Sequence, residues 1–138
     1  LATFDNILGA LTYAVGGIAA ISLAVAGILI MNVMLVDVSQ RTTEIGLLKA
    51  LGASGREIVL LILVEALLLS SLGGLIGLVI GHLGSWGIRA ALPDLEAYPP
   101  GWAAISSFLI AIATGAIFSL LPASKASKLD PVMALARR

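Results

Sequence analysis

Apolar positions fill three long stretches of this chain, residues 6–36, 66–88 and 97–124, none of which holds an Asp, Glu, Lys or Arg. About 20 such residues carry a helix across the hydrocarbon core of a bilayer. A helix closes its own backbone hydrogen bonds, which lipid cannot do for it. The pattern therefore predicts an all-α integral membrane protein with three transmembrane helices, at about residues 5–38, 55–88 and 102–121. The first uncharged run would reach about 46 Å at 1.5 Å per residue, so it tilts or projects beyond a core of about 30 Å. Asp5, Asn6 and Thr12 make its outer end the more polar one, which favours projection there.

Small residues punctuate two of these helices. Gly16, Ala20 and Ala24 recur every four residues in the first, and Gly73, Gly77 and Gly81 form two overlapping G-x-x-x-G units in the second. Such stripes let another helix approach closely, from a second copy or from within the bundle. Ser54 and Glu57 have the spacing of a capping box, which starts the second helix near Gly55. Pro122 is expected to end the third helix. Asp130 as N-cap and Pro131 at the first helical position then restart a short C-terminal helix in the tail, residues 123–138. The connection between the second and third helices is short and broken by prolines, with Tyr98 and Trp102 where interfacial aromatics are expected.

Between the first two helices lies a charged island, residues 41–54, within a connecting segment at 39–54. Read as a helix over about residues 43–51, it puts Ile45, Leu48 and Leu51 within an arc of about 120°. Glu44 falls in its first turn and Lys49 in its last, both favourable to the helix dipole. Gly46 costs about 1 kcal/mol relative to Ala in a helix interior, a cost that makes sense where another backbone comes close. Two readings fit this pattern equally: a helix lying on the headgroups, or a surface made to be gripped by a partner.

Composition closes off the soluble alternatives. The chain has 138 residues, 59% hydrophobic and 12% charged, with a mean hydropathy of +1.10, whereas soluble domains carry about a quarter charged residues. A net charge of zero and the lack of a basic tract exclude nucleic acid as a partner and leave the lipid bilayer. Cysteine is absent. The first run lacks preceding basic residues and is too long for a signal peptide. There is no initiator Met, so the chain reads as a fragment or processed piece of something longer. Arg41, Lys49, Arg56, Lys125, Lys128, Arg137 and Arg138 fall on one side and only Arg89 on the other. The island and C-terminus are therefore expected in the cytoplasm and the N-terminus outside.

Candidate chemistry is sparse. Glu65 lies about two and a half turns into the second helix. It is either a proton or ion relay or a structural carboxylate near the inner interface, hydrogen-bonded to a neighbouring helix. No basic residue within the spans pairs with it, and the structural reading is preferred. Asn32 is expected to hydrogen-bond between helices. His82, a lone histidine, cannot build a metal site. Gly52-Ala-Ser-Gly-Arg lacks the lysine and preceding strand of a P-loop, and no nucleophile, base and acid set is present, so the chain is not expected to be an enzyme.

The run from Met31 through Asp37, Arg41, Glu44-Ile-Gly, Lys49-Ala-Leu-Gly-Ala and Ser54 resembles the signature of the MacB/FtsX-type ABC transporter permeases. So do the segments at 65–77 and 121–132, in the same order, and together they cover nearly the whole chain. The resemblance implies a four-helix permease of which this chain is helices two to four, lacking the first helix and the large extracytoplasmic domain. It implies a location in the bacterial inner membrane, a second permease copy in a homo- or heterodimer, and an ABC ATPase subunit or domain that carries the ATP and Mg. The island then becomes a coupling helix, with Glu44, Ile45, Gly46, Leu48, Lys49, Ala50, Gly52 and Ala53 as the implied ATPase contact. The function implied is mechanotransmission: ATP hydrolysis drives extracytoplasmic movement that exports or extracts amphipathic cargo such as an antibiotic, peptide or lipoprotein. A signalling permease that activates cell-wall hydrolases is the alternative. The chain departs from the family pattern at Met133, where a Glu is common, and at Ser124, Lys125, Ser127 and Lys128, which replace a more arginine-rich tail.

Overall fold

The computed structural model describes residues 2–94 and 98–136, and every element among them is a helix. Helix α1 runs Ala2–Gln40, α2 Thr42–Ala50, α3 Gly55–Ala91, α4 Gly101–Ser127 and α5 Pro131–Ala136. Helices α1, α3 and α4 are long and apolar enough to cross a membrane, at 39, 37 and 27 residues. At 1.5 Å per residue they reach about 58, 55 and 40 Å, so all three outrun the hydrocarbon core. Arg137 and Arg138 lie outside the described residues, as do residues 95–97 of the α3–α4 connection.

Helix α4 sits between the other two spans, packing along α3 and against α1, while α2 packs against α5. The core is concentrated at the end where α1 stops and α3 starts. Met34 and Val38 of α1, Ile45 of α2, Ile58, Ile62 and Ala66 of α3, and Ala123 and Ala126 of α4 form one buried cluster there. The face that α3 turns inward follows an i, i+4 row through Ile58, Ile62, Ala66 and Ser70. By contrast α1 has no buried residue before Gly27.

Pro122 does not end a helix. It lies inside α4, which continues for more than a turn to Ser127. A proline removes one backbone donor and its ring presses on the preceding turn. Here that disruption is offset by packing: Pro122 is fully buried, beside Ala123 and Ala126 at 0% exposure. Helices α1 and α3 also begin earlier and end later than their uncharged runs, because polar residues such as Asp5, Glu57 and Arg89 sit in their terminal turns.

The tightly packed glycines are not those of the expected stripes. A Cβ on Gly27 would strike the Phe118 ring, one on Gly115 the Ser70 side chain, and one on Gly74 would meet Phe108 at 3.0 Å. Gly16, Gly73, Gly77 and Gly81 have open space where a Cβ would stand, and Ala20 and Ala24 are exposed. Gly74 continues the inward row of α3, so Gly73, one residue and about 100° away, falls on the flank. Within this chain, therefore, neither stripe is a packing seam. Asn32 likewise faces outward and makes no hydrogen bond among the described residues, since α1 turns Gly27, Met34 and Val38 inward.

Candidate functional site

Helix α2 is nine residues long, too short to be stable alone, and is held at both ends and along one side. It follows α1 across a single residue, Arg41, at φ −96° and ψ 17°. The Arg41 N–H still donates to Asp37 O at 3.0 Å and the Ile45 N–H to Arg41 O at 3.0 Å, so the two helices meet in a tight joint. The Thr42 hydroxyl donates to the carbonyls of Ser39 and Val38, serving groups left open at the end of α1.

The other end of α2 closes in a Schellman motif. Gly52 has φ +106°, a conformation that favours glycine. Its N–H donates to Lys49 O at 3.1 Å, and the Ala53 N–H to Leu48 O at 3.0 Å. Gly52 is thus required by the backbone itself. Ser54 then opens α3 with the expected capping box: its hydroxyl accepts from the Glu57 N–H, and Glu57 Oε2 accepts from the Ser54 N–H at 2.7 Å.

Along its inner side α2 is used by the chain itself. Ile45 is in the core. Gly46 is buried, and a Cβ there would come within 2.6 Å of the Ala134 Cβ, so the close approach foreseen at this glycine is made by α5. Lys49 Nζ donates to Ser127 O and Leu129 O, each at 2.6 Å. It binds the last carbonyl of α4 and one in the α4–α5 corner, where a cation also suits the helix dipole. Asp130 starts α5 as expected, its carboxylate accepting from the Val132 N–H at 2.9 Å.

Arg41 stands at the centre of a charged knot that the sequence did not disclose. Its guanidinium lies 3.4 Å from Asp37 of α1, 3.2 Å from Glu44 of α2 and 3.3 Å from Glu65 of α3. Glu65 therefore does have a basic partner, supplied by the joint rather than by a span. The hydrogen bonds it donates to Glu44 first and Asp37 second raise the Arg41 pKa above its usual value and keep it a cation. These side chains are 37–70% exposed, so each pair is screened and individually weak.

What α2 leaves outward is the opposite face. Glu44, Leu48, Ala50 and Gly52 are exposed, Ala53 is half-buried, and Leu47 and Leu51 stand out at 52% and 78% exposure. Leu47, Leu51 and the whole of α5 lie outside the contact set that the resemblance implied. The buried Gly46 is the one local signal that marks which side of α2 faces inward.

Away from α2, an apolar groove of about 700 Å³ opens between α1, α3 and α4. Leu23, Gly73, Gly77, Gly81, Ala103 and Thr114 are among its lining. Buried Ser70 also borders it, with a hydroxyl that has no hydrogen-bond partner among the described residues. No group of three or more metal-ligating side chains occurs among the described residues.

The profile of the FtsX-like permease C-terminal family matches residues 16–131. The macrolide export ATP-binding/permease protein MacB of Wolinella succinogenes is 48% identical over 91% of this chain and 19% of its own length. The pyoverdine export ATP-binding/permease protein PvdT of Pseudomonas entomophila is 45% identical, with the same coverage. An uncharacterized ABC transporter permease of Bacillus subtilis, YknZ, is 42% identical over 97% of this chain and 34% of its length. The chain thus spans between a fifth and a third of these relatives. With its match over most of the chain and its three membrane-spanning helices, the protein belongs to the FtsX-like permease family as a multi-pass membrane chain.

Proposed function

We propose that this chain is the membrane part of an ATP-driven export permease. In this reading α2 receives motion from a cytoplasmic ABC ATPase, which holds the ATP and Mg, and passes it to the outer side for export or extraction of amphipathic cargo. The observation that carries the reading is the way α2 is held. A nine-residue helix is clamped at the Arg41 joint, the Gly52 turn and the Lys49 bridge, yet keeps Leu47, Leu48 and Leu51 exposed. A push on that face reaches α1 through Arg41, α3 through Ser54 and α4 through Lys49 without a flexible link between. The names of the relatives, which pair ATP binding with a permease, support the same partner. The charge distribution supports α2 in the cytoplasm, and the kinship with bacterial export permeases supports placement in the bacterial inner membrane. The open stripes at Gly16, Ala20 and Ala24 and at Gly73, Gly77 and Gly81 are available to a second permease copy or to the upstream helix.

Inward-facing residues make poor tests, because bulk at Gly46 or charge reversal at Lys49 would disturb α5 and α4 first. Leu48→Asp places a charge on the exposed face and leaves the internal contacts in place. In the reconstituted full-length transporter, it should cut cargo-stimulated ATP hydrolysis about tenfold while the permease still assembles. Stimulation equal to the parent would remove the case for α2 as the ATPase contact.

A further inference from the structure

We infer that Glu65 is a positioning residue: by gripping Arg41 it makes α2 and about the first three turns of α3 move as one body, so that α3 follows the α1–α2 joint. The inference rests on the coupling reading above and gives α3 a second link within it. Arg41 Nη1 donates to both carboxylate oxygens of Glu65, at 3.3 and 3.5 Å. The other two acceptors of this guanidinium, Asp37 and Glu44, lie four residues before it and three after it, so they brace the joint itself. Among the described residues, Glu65 supplies the one ion pair that crosses from the joint to another span.

The place of that pair decides what it does. Helices α2 and α3 are joined at one end by the Gly52 turn and the Ser54–Glu57 box. Glu65 lies about 15 Å farther along α3 at 1.5 Å per residue, and Arg41 stands about as far from the turn at the head of α2. Two helices fastened at one end pivot about it; fastened at both ends, they do not hinge apart. Direct packing supplies little of the second fastening, because α2 packs chiefly on α5, and α4 lies between α1 and α3.

The surroundings make this pair costly to open. On α3, Glu65 shares a face with Leu61, Leu68, Leu69 and Leu72, three, four or seven residues away and all exposed. It is also the last charge before the uncharged run 66–88. In a bilayer that face meets lipid, and a carboxylate at the edge of the hydrocarbon is tolerated when a cation stays with it. Water and salt screen such a pair less than the Glu44 pair, which lies on the helix outside the spans. Swinging the joint away from α3 would strand Glu65, so a displacement of α2 carries α3 with it.

The test uses the full-length transporter with its ATP-binding unit, freed of other cysteines, in liposomes and diluted with unlabelled copies. Nitroxides at Leu47→Cys on α2 and Leu68→Cys on α3 report the distance between the two helices by pulsed electron paramagnetic resonance. Without nucleotide and after trapping with ATP and vanadate, the parent should give the same single narrow distance. Glu65→Gln should broaden that distribution about twofold and make the two states differ, because the second fastening is lost. Exchanging the charges, Arg41→Glu with Glu65→Arg, keeps the net charge and should restore the narrow distance, which a purely structural need for either native residue would not allow. A parental distance that changes with nucleotide, a Glu65→Gln distribution as narrow as the parent's, or an exchange that fails to narrow it would each overturn the inference. If Leu48→Asp still abolishes stimulation in the assay above, the coupling reading survives that loss. Parental stimulation in Leu48→Asp would remove both.

Discussion

The two ends of this bundle use the same residue types to opposite effect. In the half of the bundle nearer α2, small residues are filled against: Gly46 by Ala134, Gly27 by Phe118, Gly115 by Ser70, with Ala123 and Ala126 fully buried. Toward the other end, a Cβ at Gly16, Gly77 or Gly81 would meet nothing among the described residues, and α1 runs from Ala2 to Ala26 without a buried residue. A small residue in a membrane helix is thus permission for close approach rather than evidence of it. The packed end works as one unit in which five helices converge. The open end offers its small-residue flanks and an apolar groove to whatever else is in the membrane.

The sharpest way to break this contrast is to enlarge one glycine from each set. Gly115→Leu drives a side chain into Ser70 and the α3 backbone and should cost about 3 kcal/mol or more. Gly77→Leu meets open space and should change the stability of the isolated chain by less than about 0.5 kcal/mol. Thermal unfolding in detergent compares them, and equal losses would erase the distinction. Lys49→Met should come next, at about 1–2 kcal/mol, because two carbonyls at the α4–α5 corner lose a charged donor. Faster proteolytic release of the C-terminal segment would report it, since α5 loses its anchor. Gly52→Ala should be the mildest change at the packed end, at about 1 kcal/mol for an alanine held at φ +106°. The same unfolding assay reads it, and a neutral result would mean that the turn relaxes without cost.

Local chemistry was legible from the sequence and cross-chain contacts were not. The three uncharged runs predicted the spans because lipid imposes a length and a polarity on a helix. The Ser54–Glu57 box and the Asp130 cap were readable because donor and acceptor lie two or three residues apart. Lys49 meets Ser127 across 78 residues and Arg41 meets Glu65 across 24, distances over which no periodicity carries information. In the candidate site, the position of α2 and its charged termini were legible. Its inward face was not legible: Ile45, Leu48 and Leu51 share an arc, whereas the chain buries Ile45 and Gly46 and half-buries Lys49. Pro122 misled for a related reason: burial in a packed corner offsets a break that would end an isolated helix.

The central claim is that the outward face of α2 is where the ATP-binding unit engages. Leu51, at 78% exposure, is the position to watch, and the chain has no native cysteine to interfere. In a full-length transporter freed of other cysteines, Leu51→Cys should react with maleimide about tenfold more slowly when the ATP-binding unit is present than when it is deleted. Equal labelling rates in the two forms would contradict the account.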